Sequence, residues 1–563
     1  MKHFNRISPK IVCILTASLL LASCAGGNSS GSTSASSNSS SQETTGASST
    51  ASGPEPLTLP VTTEDITVTW WADLDKAAGA VATLNDVLAY QKLQEITGVK
   101  IEFQHPPVGS AQEQFNLLVA SRNLPDIITF GWANVPGGPA SYINDQVIIP
   151  LNDPINQWAP NLLAYYKENP VVHQQQEMDD GTYYVFPAVY GDRELAVNQG
   201  PVIRSDMFDK LGLAETPTTI DEWTEMLRKV KETDFGSGVG AVSPLFLTLG
   251  NAGVPLLQNA PMILGSWGIR QEFYNDGGTV KYGAMQPEFK EFLTLMKSWY
   301  DEGLLDPESL TGVAKIQDEK MSENKLFAIN GSMGNSITRY TAMMKPQNEA
   351  FKLIPLPYPV LNAGDPPGET QEAPSYNNGG AAITTACKHV KEVTKMLDYC
   401  YGEDGHILSN WGVEGTTYEK NADGTFKYTD LIMNNPDGLS REQAMAKYTF
   451  WQSNGAVAKY KDVLNQRDNL PEQVEGRANW MLSKNEHLLP PLTATSDESS
   501  ELASIVNETR TYTNEMINQF ISGKTSLDTF DKFVQTLKDM GIERAIELQQ
   551  TQFERYQSRP ALD

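Results

Sequence analysis

Residues 65–104 read DITVTWWADLDKAAGAVATLNDVLAYQKLQEITGVKIEFQ. From Asp65 to Trp71 the chain alternates, with Ile66, Val68 and Trp70 on one face and Thr67, Thr69 and Trp71 on the other. That is the period of a β-strand. Leu84, Val87, Tyr90, Leu93 and Ile96 then recur at helical spacing and stop at Gly98, a residue suited to the left-handed turn that ends a helix. Lys100 to Gln104 alternates again, Phe115 to Arg122 reads as a second helix, and Pro125 to Phe130 as a buried strand. This β-α-β-α-β order predicts an α/β fold with a largely parallel sheet and helices on both faces. Such sheets hold ligands beyond the carboxyl ends of their strands. Two aromatic-polar loops fall there: Trp70-Trp71-Ala72-Asp73 and Gly131-Trp132-Ala133-Asn134.

Alternation resumes at Tyr183 to Val189 and Leu195 to Arg204. Thr219 and Glu222 have the spacing of a capping box, and Trp223, Met226, Leu227 and Val230 form the buried stripe of the helix it opens. Phe289, Phe292, Leu293, Met296, Trp299 and Tyr300 mark another amphipathic helix that stops at Gly303. Helices are expected over most of 507–557. Asn421-Ala422-Asp423-Gly424 reads as a hairpin tip. No D-x-D-x-D-G calcium loop occurs, and the His and Cys spacings offer no metal site, so neither metal nor cofactor is expected.

The N-terminus carries a separate message. Lys2, Arg6 and Lys10 precede an apolar run from Ile11 to Leu21, the size of a signal-peptide core and too short to span a bilayer. Leu21-Ala22-Ser23-Cys24 resembles the lipobox of bacterial lipoproteins, which implies cleavage after residue 23 and a lipid on Cys24. Residues 24–57 are then a lipidated cysteine and a Ser/Gly/Thr linker with almost nothing apolar to bury. Its reach is about 30 Å. Gly27-Asn28-Ser29-Ser30-Gly31 matches the G-x-S-x-G hydrolase pattern but lacks the strand and helix that motif needs.

A net charge of −26 argues against nucleic acid and against electrostatic docking on an anionic bilayer, leaving the lipid as the anchor. Cys387 and Cys400 flank a helical segment, which would hold their sulfurs about 20 Å apart, too far for a disulfide; two buried thiols are expected.

The stretches YQKLQEITGVKIEF (Tyr90–Phe103), NLPDIITF (Asn123–Phe130), IRSDMFDKLGL (Ile203–Leu213), PTTIDEW (Pro217–Trp223), PEFKEFLTLMKSWYDEGLLDPE (Pro287–Glu308) and WGVEGTTY (Trp411–Tyr418), in this order, resemble the large carbohydrate-type solute-binding lipoproteins (LplA-like) of bacterial ABC importers. The resemblance implies a two-lobed, periplasmic-binding-protein-like α/β fold with a hinge and an interlobe ligand cleft. Hinge crossings are expected near Pro187–Arg204, Phe351–Pro359 and Gly402–Trp411. Lobe 1 would then combine 58–197 with 360–403, and lobe 2 would combine 198–359 with 404–563. The implied function is capture of an extracellular sugar by a lipid-anchored monomer on the outer face of the cell membrane, and delivery to membrane permease subunits.

Sugars present apolar C–H faces and a rim of hydroxyls, which aromatic rings and Asp, Glu, Asn or Arg satisfy. The candidates are Trp71 and Asp73, Trp132 and Asn134, Tyr190 and Arg193, Trp267, Asn335, Asn377 and Asn378, and Trp411 with Glu414. Each has a structural alternative. Trp71 belongs either to the cleft or to the core, Asp73 to a hydroxyl or to a helix cap, Arg193 to the ligand or to a neighbouring acid, and Trp411 to the cleft or to lobe packing. The competing function is a lipid-anchored glycosidase or lyase, which would need paired carboxylates about 5–10 Å apart. No catalytic signature is present, so no enzyme is expected.

Overall fold

The computed structural model describes residues 53–236, 241–250, 255–256, 261–450, 455–468, 470–559 and 562. The leader, Cys24 and the linker up to residue 52 lie outside the described residues. The fixed body begins earlier than expected. Within 53–57, Glu55 already pairs with Lys395 at 2.7 Å and Lys391 at 3.0 Å.

Two sheets organise the chain. The first contains β1 (Ile66–Trp71), β2 (Val99–Gln104), β3 (Ile127–Phe130), β4 (Phe186–Tyr190), β11 (Tyr376–Ile383) and β14 (Val457–Lys459), in the spatial order β14-β4-β11-β3-β1-β2. β1 runs parallel to β2 and β3, and β14 parallel to β4, whereas β11 is antiparallel to both neighbours. The second sheet contains β5 (Gln199–Arg204), β6 (Ser243–Phe246), β9 (Leu326–Ser332) and β10 (Leu353–Pro355), ordered β10-β5-β9-β6. Two hairpins complete the strands: β7 (Phe273–Asp276) with β8 (Thr279–Tyr282), and β12 (Tyr418–Lys420) with β13 (Phe426–Tyr428).

The alternation read in β1 is a real division of labour. Ile66, Val68 and Trp70 join the core on one face of the first sheet, while Trp71 joins a separate core on the other with Phe115, Ile128 and Trp132. The helix Leu88–Thr97 ends on Gly98, whose φ is 78°. A Cβ there would lie 2.3 Å from the Thr62 carbonyl oxygen, so both conformation and space require glycine. Thr219 and Glu222 form the expected capping box on the helix Ile220–Glu232. That helix and Pro287–Asp301 bury their apolar stripes in the core of the second lobe. Cys387 and Cys400 are free thiols; Cys400 is buried as expected, but Cys387 is only half-buried.

The expected lobe boundaries differ from the structure in two places: the second crossing extends over 356–375, where Glu369 pairs with Arg270 of lobe 2, and the share of 404–563 also changes. Residues 404–459 were assigned to lobe 2, but the helix Glu403–Asn410 packs against β14, and β14 pairs with β4 in the first sheet. Leu408, Ala446, Phe450 and Val457 sit in the core of lobe 1. The third crossing therefore lies not at Gly402–Trp411 but after β14, leading into the helix Pro471–Trp480, which packs on β10.

Candidate ligand cleft

Three passages join the lobes: 191–198 from β4 to β5, 356–375 from β10 to β11, and 460–470 after β14. Arg193, in the first, ties it to the second and to the segment 481–483 that follows the third. Its Nε and Nη2 donate to the two Glu372 carboxylate oxygens at 2.9 and 2.7 Å, and Nη1 and Nη2 donate to the carbonyls of Met481 and Ser483 at 3.3 and 2.5 Å. The Glu372 hydrogen bonds raise the Arg193 pKa further above its ordinary value. Asn485 completes the junction, donating to Glu372 at 2.6 Å and accepting from the Thr370 N–H at 2.7 Å. Gln371 accepts from the N–H groups of Asn198 and Gln199 at 2.9 and 3.1 Å. Arg477, next to the third passage, pairs with Asp468 and donates to the Glu194 carbonyl.

The strand ends that face the other lobe carry several of the predicted residues. Tyr190 ends β4, half-buried, with the Lys459 ammonium 5.9 Å from its ring centre; burial pushes its phenol pKa up. The short first passage then leads to Gln199, which pairs with Ser332 at the end of β9. Asn335 follows as an exposed residue of the helical turn Met333–Thr338. In the same turn, a Cβ on Gly334 would stand 3.7 Å from Glu442 of lobe 1, so the two lobes approach closely here. Asp73 is half-buried beyond β1, and Asn134 is exposed beyond β3. A cavity of about 360 Å³ opens between Asn134 and Gly138 of lobe 1 and Glu272, Arg510 and Gln549 of lobe 2. A second, of about 570 Å³, adjoins the first and third passages and is lined by Glu194, Asp462, Asp468, Gln473 and Arg477. Asn377 and Asn378 begin β11, at the same end of the sheet, but their side chains lie outside the described residues.

In this arrangement two α/β bodies are joined by three chain passages, with a cavity lined from both. The sequence pattern of bacterial extracellular solute-binding proteins matches residues 77–407, more than half of the chain. The chain belongs to that family. Among its relatives, the fructooligosaccharide ABC transporter substrate-binding protein FusA of Streptococcus pneumoniae serotype 4 is 22% identical over 506 residues, covering 84% of this chain and 88% of FusA. Lipoprotein LipO of Bacillus subtilis is 26% identical over 474 residues, 80% of this chain and 85% of its own. The crystal structure of the alginate-binding protein AlgQ2 superposes with a TM-score of 0.68 at 25% identity, covering 88% of this chain and 99% of that one. As a member of the solute-binding family, the chain is a binding protein rather than an enzyme.

Several of the aromatic candidates for this solute-binding protein are in its cores. Trp132 has no exposed surface; its indole N–H donates to the Ile128 carbonyl at 3.2 Å, and its ring meets Phe115 and Tyr142 edge-on. Trp71 packs against the stacked rings of Phe115 and Phe130. Trp411 is buried with Tyr418, Phe426 and Tyr428 and donates to Asp462 at 2.8 Å. Trp267 lies edge-on to Phe292 and gives its N–H to Glu291 at 3.0 Å. Glu414 is exposed beside the β12–β13 hairpin, joined to it by a bridge to Tyr418. Arg193 pairs with neither Asp192 nor Glu194 but with Glu372.

Other polar residues of the cleft region escaped sequence reading. Arg467 lies near Tyr190 and Glu442; burial opposes its charge, but Asp468 outweighs that and raises its pKa. Nothing local marks Glu372, because its partner Arg193 comes from a distant segment; Asp468 pairs locally with Arg467 and Arg477. Among the described residues no cluster of three His, Cys, Asp or Glu could hold a metal ion, and no helix is long and apolar enough to cross a membrane.

Proposed function

We propose that the chain captures an extracellular oligosaccharide between its lobes and delivers it to the permease of an ABC importer. The carrying observation is the hinge. Two α/β bodies meet through three passages, the first and second tied together at Arg193, and accessible polar groups stand at the facing strand ends. Asp73, Asn134, Tyr190 and Asn335, with Asn377 and Asn378, are the ligand residues of this reading. Amides and carboxylates would take the hydroxyls, and the Tyr190 ring a C–H face. The names of FusA and AlgQ2 support a saccharide as the solute. The net charge of −26 favours a neutral glycan over a polyanionic one.

The lipobox-like Leu21–Cys24 supports a lipid anchor on Cys24 after removal of residues 1–23, with the linker holding a monomeric body outside the membrane. Anchoring would keep the binder at high effective concentration near its permease.

Thermal-shift titration of the full chain with a glycan panel, including fructooligosaccharides and alginate oligomers, tests the reading. A saturable rise in melting temperature without product release is expected. Stabilisation by peptides alone, or glycan cleavage, would overturn it.

A further inference from the structure

The three passages are not the only bonds between the lobes. The C-terminal helix Ile542–Gln557 belongs to lobe 2, where Ile542 and Ala545 are core residues, yet its last turn reaches lobe 1. Arg555 Nε donates to Asp179 Oδ2 at 2.6 Å. Arg559 Nε and Nη2 donate to Asp179 Oδ1 at 3.1 and 2.6 Å. Arg559 Nη1 also donates to the Gln174 carbonyl at 2.6 Å, and Gln174 Nε2 donates back to the Tyr556 carbonyl at 3.1 Å. Thr493 adds a hydroxyl to Asp179 at 2.9 Å, and Glu498 takes the two remaining nitrogens of Arg555 at 2.7 and 2.6 Å.

Asp179 is firmly lobe 1. It follows the helix Pro170–Gln176, which packs on β11, and the neighbouring Met178 is in the core with Trp132. The contact also flanks the hinge: Gln175 accepts the N–H of Tyr376, where the second passage enters β11. Nearby, the Gly137 N–H of lobe 1 donates to Ser499 of lobe 2 at 3.1 Å.

The charges balance, with two arginines against two carboxylates. The Arg559 side chain has no exposed surface and that of Asp179 retains 18%. Shielded, multiply hydrogen-bonded ion pairs depend steeply on geometry, because a displaced charge is left without solvent or partner. Such a cluster holds one relative placement of the lobes well and others poorly. The geometry points to a C-terminal strap: Arg555 and Arg559 on Asp179 form a fourth, non-covalent connection that biases the hinge toward the lobe arrangement of this structure. A solute favouring another arrangement has to supply the difference from its own binding.

The test needs no solute, so its result is independent of the carbohydrate reading. In the full chain, Asp179→Asn, Arg559→Gln and the pair are compared by small-angle scattering and hydrogen exchange. Each single variant should broaden the interlobe distance distribution and speed exchange at 174–179 and 493–499 about tenfold. The effect of the double variant should fall well short of the sum of the two, since both changes break the Asp179–Arg559 contact. If Asp179→Asn does not fold, Arg559→Gln and Arg555→Gln, which leave the helix and Leu562 in place, are compared instead, and the same broadening is expected. A lower melting temperature with unchanged lobe geometry, or additive effects, would overturn the strap.

Discussion

Arg193 and Glu372, 179 positions apart, form a two-pronged ion pair with hydrogen bonds of 2.9 and 2.7 Å. The pair joins the first passage between the lobes to the second, and the remaining Arg193 contacts bring in the segment 481–483 beyond the third. The hinge is therefore held at a junction of side chains as well as by backbone.

Replacing Glu372 by Ala leaves Arg193 without its acid and removes one of the two acceptors of the Asn485 amide, the other being the Thr370 hydroxyl. A stability loss of about 1–3 kcal/mol is expected, measured by denaturant unfolding, together with weaker solute binding by calorimetry. Wild-type values for both would show that the junction does not govern the hinge.

The tryptophans and Tyr190 should separate cleanly. Trp132→Ala and Trp411→Ala each empty a packed core and should cost about 3–5 kcal/mol, read as a lower unfolding midpoint. Tyr190→Ala removes a half-buried ring at the interlobe end of β4 and should weaken solute binding with a much smaller stability loss. Loss of affinity in a still-folded Trp132→Ala protein, with Tyr190→Ala unaffected, would contradict this assignment.

Two buried acids predict a pH dependence. Burial raises the Asp398 pKa to about 7, although its carboxylate accepts the N–H groups of Leu162 and Asn161; burial raises Glu177 to about 7 as well. A carboxyl whose pKa is raised by folding is bound to its proton more tightly in the native state. Its contribution is complete below the unfolded value near 4 and is lost as pH rises through 7. Urea midpoints at pH 5 and pH 8 should therefore move in favour of Asp398→Asn relative to wild type as pH rises. A pH-independent difference would refute the assignment.

Cys24→Ser should release the protein from the membrane fraction and abolish incorporation of labelled fatty acid, with solute affinity unchanged. Continued membrane association would refute the lipid anchor.

How much of this was legible in sequence follows from the range of the forces involved. The alternation in β1, the helix stop at Gly98 and the Thr219–Glu222 capping box each depend on residues within one or two turns of one another, so they can be read along the chain. They were enough to determine an α/β body with parallel strands, and the order of motifs determined its resemblance to solute-binding proteins. Tertiary structure alone decided what the tryptophans do. An aromatic ring in a polar, Gly-bounded loop has the same local pattern whether it faces a ligand or folds back on Phe115, as Trp132 does. It also decided which lobe owns 404–459, because β14 is a short strand whose place is set by pairing with β4. The Arg193–Glu372 junction and the Asp179–Arg559 strap belong to the same class. Charge interactions across hundreds of residues leave no period in a sequence, and they exist only once packing has brought the partners together and kept water away.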